Sequence, residues 1–153
     1  MQRRQQYSSR PQTPRRKRPT NRVIQAGNFS VAVSNQLTGY VFTATDPCTA
    51  TNFKLDIGQF SGPQPVPYAL VFIPDGYTAN YVTYPSVPPV NFYEPSQNVL
   101  ISGVLTSTGH EDEKFSRYSR KMATGDQIAL LVRNLSLTTE IVCAFELSFT
   151  TVH

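Results

Sequence analysis

The residues best suited to chemistry stand at the front of the chain. Arg3, Arg4, Arg10, Arg15, Arg16, Lys17, Arg18 and Arg22 fall within the first 22 residues, and no Asp or Glu interrupts them. Guanidinium groups grip phosphate oxygens bidentately. A run of such cations displaces counterions from a polyanion, which gives tight, salt-sensitive and largely sequence-blind binding. The chemistry expected of these eight residues is nucleic-acid binding. Within them, "PRRKRP" (Pro14–Pro19) also fits a short basic nuclear-localisation patch, so the nuclear import machinery is an expected partner and the nucleus an expected location. A solvated charge run with no ligand is the plain alternative. Against it stands the rest of the chain: Val23–His153 holds six basic and ten acidic residues. The arm therefore carries +8 and the body −4. That asymmetry points to a polyanion as the partner of the tail.

Other candidates are weaker. "HEDEK" (His110–Lys114) is the one acidic cluster. Its carboxylates could hold a structural Ca²⁺ at a subunit boundary, but the spacing matches no metal loop, and no cofactor is expected. Its first four residues, "HEDE" (His110–Glu113), read instead as an acidic turn facing solvent or a neighbouring subunit, since carboxylates aimed at phosphates would repel. Cys48 and Cys143 are too few for a disulfide framework and read as reduced thiols in β-structure. There are two histidines, and nucleophile-elbow, P-loop and paired-His motifs are absent, so no enzyme is expected. Asn28 and Asn134 match the glycosylation sequon by chance, because the chain has no apolar leader of secretory type. No apolar run approaches the roughly 18 residues of a membrane span, so no membrane insertion is expected.

The elements that must carry the arm read as β-structure. Twelve Pro and eight Gly break the chain often, and Val, Ile, Thr, Tyr and Phe fill the runs between. The first 22 residues have no apolar pattern beyond Tyr7 and read as disordered, with a boundary to the folded body at Arg22–Val23. Eight strands are then expected: Asn28–Ser34, Thr38–Thr45, Thr51–Ile57, Tyr68–Pro74, Gln97–Thr106, Lys114–Met122, Gln127–Asn134 and Glu140–Val152. "YALVFIP" is continuously apolar and reads as a central strand covered on both faces. Gly103 reads as a bulge. Tyr68, Tyr77, Tyr81, Tyr84, Phe92 and Tyr93 crowd into or beside a Pro-rich connection, where packing over the core and a contact surface are both open readings. Eight short strands without a helix suggest an all-β sandwich, with an eight-stranded single jelly roll, two packed antiparallel sheets, as one solution.

Three stretches carry a resemblance. They are "YALVFIPDGY" (Tyr68–Tyr77), "FYEPSQNVLISGV" (Phe92–Val104) and "SRKMATGDQIALLVRN" (Ser119–Asn134). They resemble capsid proteins of small circular single-stranded DNA viruses that encode a replication-associated protein. Some clades of that group are similar to the coat protein of satellite tobacco necrosis virus. The motifs are turns: Pro74-Asp75-Gly76, the run Tyr93–Val99, and Gly125-Asp126. The resemblance implies a single jelly roll that assembles into a sixty-subunit, T=1 virion shell with its arms inward on the genome, DNA rather than RNA. Sixty arms would supply positive charge for about 500 nucleotides. Two other readings remain: a non-viral β-sandwich that binds nucleic acid through its tail, and a jelly-roll ligand-binding domain using the tyrosine-rich loop.

Overall fold

The computed structural model describes residues 18–34, 36–79, 92–93 and 98–153. The strands are β1 (Thr20–Val31), β2 (Gln36–Thr43), β3 (Cys48–Ser61), β4 (Val66–Ile73), β5 (Thr78–Ala79), β6 (Phe92–Tyr93), β7 (Val99–Leu105), β8 (Glu111–Ser116), β9 (Arg120–Met122), β10 (Gln127–Arg133) and β11 (Ile141–Val152). Two antiparallel sheets result. One runs β1-β11-β3-β8, with β9 continuing β8 alongside β3; the other runs β2-β10-β4-β7. The pair β5–β6 is short and parallel. If β8 and β9 count as one strand interrupted at 117–119, the chain has eight main strands. The first pairs with the eighth, the second with the seventh, the third with the sixth and the fourth with the fifth. This is the winding of a jelly roll.

Strand alternation builds the core. Phe53, Leu55 and Ile57 of β3 and Ile141, Cys143, Leu147 and Phe149 of β11 face Tyr68, Leu70 and Phe72 of β4 and Ile128, Leu130 and Val132 of β10. Phe149 stacks on Phe53 at 5.3 Å and meets the edge of Phe42 from the other sheet at 5.1 Å, so aromatic rings tie the two layers. The alternate residues Ala69, Val71, Ile73, Ala129 and Leu131 form a second buried cluster with Ala79. Both faces of β4 are thus covered, as its continuous apolar run requires.

Three expectations need correction. β1 begins at Thr20, not near Asn28, because every residue from Thr20 to Val31 pairs in register with β11. The boundary at Arg22–Val23 therefore falls inside a strand. "HEDE" is not a turn: Glu111–Glu113 belongs to β8, the edge strand of its sheet, where charged side chains are well tolerated. Gly103 is not a bulge. The register shift between β4 and β7 lies between Leu70 and Val71, opposite Leu100, whereas Gly103 sits in regular register across from Tyr68.

Gly103 is required for a different reason. A Cβ there would stand 2.6 Å from the Tyr68 ring carbon Cζ and closer still to the hydroxyl. Tyr68 is 1% exposed and cannot swing aside without leaving the core. Gly103→Ala is expected to destabilise the fold by about 1–3 kcal/mol through overpacking, read as a lower urea midpoint.

Candidate nucleic-acid interface

Six of the eight expected phosphate ligands, Arg3, Arg4, Arg10, Arg15, Arg16 and Lys17, lie outside the described residues. The other two are placed. Arg18 is exposed just before β1, and Arg22 is exposed on β1 itself. Arg22 belongs to the folded sheet rather than to the arm, and it points to the side away from the core.

That side has an ordered layout. Cross-strand register arranges the outer face of the β1-β11-β3-β8/β9 sheet in rows. Nearest the arm come Thr20, Val152, Thr49 and Lys121, then Arg22, Thr150 and Thr51. Next is Ile24, Ser148, Lys54 and Phe115. Beyond it stand Ala26, Glu146, Asp56 and Glu113, and finally Asn28, Ala144, Gly58 and Glu111. The arm-proximal half carries cations and hydroxyls, and the far half carries four carboxylates. Lys54 stands where the halves meet. Its Nζ donates to Asp56 Oδ2 at 2.9 Å, lies 3.2 Å from Glu113 Oε2 and sits 5.7 Å from the Phe115 ring centroid. Its hydrogen bonds to Asp56 and then to Glu113 push its pKa upward. Like charges opposite one another destabilise a sheet, and this lysine offsets that repulsion.

The acidic motif divides between two faces. Glu111 and Glu113 are exposed on the outer face, while Asp112 turns inward. The expectation that the whole motif faces solvent or a neighbour therefore fails for Asp112. The hydroxyl of Tyr68 crosses from the opposite sheet and donates a short hydrogen bond to Asp112 Oδ2, and Lys114 Nζ lies 3.5 Å from Oδ1. Carboxylates on opposite faces cannot converge on one cation. Among the described residues no group of three His, Cys, Asp or Glu side chains forms a metal site.

The basic residues of "RYSRKM" also separate. Arg117 lines a cleft at the β7/β8 edge with Phe115 and Tyr118. Arg120 lies over the Phe72 ring at 4.1 Å and donates a short hydrogen bond to Asn98 Oδ1. Lys121 reaches the outer face. The turn motifs, by contrast, converge. Asp126 Oδ1 accepts from the Asp75 N–H at 3.0 Å, and Oδ2 accepts from the Ala123 N–H at 2.7 Å. Gly125 has φ +91°, and a Cβ there would meet the Asp75 carboxyl at 2.6 Å. The PDG and GD turns are thus one joint, and Asn98 of the third motif accepts from the Phe72 N–H beside it.

Of the aromatic cluster, Tyr68 is core, Tyr77 is exposed, and Tyr81 and Tyr84 lie outside the described residues. For Phe92 and Tyr93 the strand path alone is described. Asn134 is buried; its Nδ2 donates to the Val31 and Thr139 carbonyls and its Oδ1 accepts from the Ser136 N–H, so it holds two loops together. Cys48 and Cys143 are buried free thiols. Sequence reasoning did not place Lys121 on the same face of the sheet as Arg22. Its strand is three residues long and pairs only through β3, a long-range contact with no local signal.

No protein-family model and no curated protein matches the chain. A solved structure of infectious bursal disease virus, Gx strain, is similar to it with a TM-score of 0.47 and 7% sequence identity, over 96% of this chain and 36% of that one. The chain thus spans about a third of the length of that solved chain.

Two outcomes follow from the buried polar groups. Tyr68→Phe leaves Asp112 without its buried donor and is expected to cost about 1.5–3 kcal/mol in denaturant unfolding. Burial raises the Cys143 thiol from the usual 9.0 to about 11. The unfolded chain loses this proton first, so the stabilisation is whole below about pH 9 and is lost as pH rises towards about 11. Burial, and then Asp112, push the Tyr68 phenol upward as well, which acts in the same direction. The urea midpoint should fall through this alkaline window, and Cys143→Ala should flatten the fall; an equally steep fall in the variant would remove Cys143 as its cause.

Proposed function

We propose that this chain is a viral capsid protein. Its jelly-roll body builds a small icosahedral shell of sixty copies with T=1 symmetry, and its basic arm packages a single-stranded genome, DNA in preference to RNA. The observation that carries the reading is the union of an arm of charge +7 over Met1–Pro19 with a jelly roll of charge −3 over Thr20–His153. The body's net negative charge leaves the arm as the main tether of nucleic acid, so wall and tether are largely divided between two parts of one chain. The three motifs that resemble the capsid proteins of small circular DNA viruses lend support, since they meet at loops and strand ends of the jelly roll. The PRRKRP patch supports passage through the host nucleus before the protein reaches the virion. The role is structural and needs no catalytic group.

Expression of the full chain should give uniform spherical particles in electron micrographs, with nuclease-resistant nucleic acid inside. Arg15→Ala/Arg16→Ala/Lys17→Ala should lower the nucleic-acid content while shells still form. A monomer free of nucleic acid at every salt concentration would overturn the reading. Particles that form and fill equally well without these three cations would overturn the role of the arm.

A further inference from the structure

The cations of the folded body have different surroundings. Lys54 is held by two carboxylates, Lys114 lies beside Asp112, and Arg120 is bound to Asn98 and Phe72. Arg18, Arg22 and Lys121 are exposed, and among the described residues none of the three is in an ion pair. All three stand at the end of the sheet where the arm joins it. Arg22 and Lys121 share the outer face, β1 and β9 lying three strands apart, about 14 Å. Between them Thr49, Thr51 and Thr150 present hydroxyl groups. A cleft of about 520 Å³ adjoins this ground, lined by Arg18, Thr49, Lys121 and His153. Asp126 forms part of its wall, but that carboxylate is committed to two backbone N–H groups.

We propose that this half-face is a second nucleic-acid contact, built into the folded body. The sugar–phosphate backbone of a single strand crosses the sheet from β1 to β9. Its phosphates pair with Arg22 and Lys121 and accept hydrogen bonds from the threonine hydroxyls. Arg18 joins this path to the cations of the arm. The carboxylate row of Glu146, Asp56 and Glu113 sets its far limit. That row stands about 13 Å along the strands from Arg22, beyond the roughly 8 Å screening length at physiological salt. It therefore leaves the basic half attractive while repelling a strand that strays. Cations and hydroxyls reach only the backbone, so the contact is indifferent to sequence.

The inference rests on nucleic acid being the ligand of the arm, and the test separates the two. Full-length protein is titrated with a labelled oligothymidylate across a salt series. Each single-strand phosphate contact contributes about 0.7 to the slope of log affinity against log salt. Arg22→Ala/Lys121→Ala should flatten the slope by about 1.4. Arg117→Ala/Arg133→Ala, which removes equal charge elsewhere, should leave it unchanged. Equal flattening by both pairs, or none from the first, overturns the proposal. If Arg15→Ala/Arg16→Ala/Lys17→Ala has no effect, the role of the arm fails. If that variant flattens the slope and Arg22→Ala/Lys121→Ala does not, only the second contact fails. In the unsubstituted protein, bound oligonucleotide should shield Lys121 from amine acylation and leave Lys114 reactive; an unshielded Lys121 contradicts the proposal without recourse to any variant.

Discussion

The structure depends on one ladder. β11 is hydrogen-bonded along both sides, to β1 and to β3, and it also sends Ile141, Cys143, Leu147 and Phe149 into the core. β1 is an edge strand and β11 is its neighbour within the sheet. The basic segment joins the wall through β1. The last strand of the chain thus fixes the first, and the sheet cannot form until residues more than a hundred positions apart have met. Such non-local pairing carries a large loop-closure cost before any contact offsets it.

The inner half of this architecture was legible because alternation and continuity of apolar residues report burial directly. Phe53, Leu55 and Ile57 announce a strand with one buried face, and Tyr68–Ile73 announces one with two. What stayed hidden was set by partners distant in sequence. The first eight residues of β1 look like the end of a polar arm because their exposed side chains include Arg22 and Gln25; pairing with β11 overrides that appearance. "HEDE" looks like a turn by composition, yet the edge position of Glu111–Glu113 in the sheet accepts them as strand. Tyr68 reads as a strand residue of the core, and its hydroxyl proves to reach Asp112 on the opposite sheet.

The same alternation decides what each charge does. In β8, consecutive residues fall on opposite faces, so a run of like charges becomes two separate arrangements: one carboxylate bound inside by a phenol, two others outside, of which Glu113 reaches Lys54. In β9, Arg120 stacks inward on Phe72 while its neighbour Lys121 stands outside. A charge count for the body is therefore a poor guide to any one surface. The net negative sum conceals a face that changes sign from one end to the other.

The twelve-pair register of β1 on β11 also has a mechanical meaning. The ladder runs along the axis of β1 to its end at Thr20, where the basic segment joins it. Tension applied to the arm along that axis loads the interstrand bonds in shear. They must yield together, whereas a pull across the sheet would open them singly from the end. A cord fixed in this way is held most strongly along the axis of the strand that anchors it, and its fastening tolerates a taut load better than a peeling one.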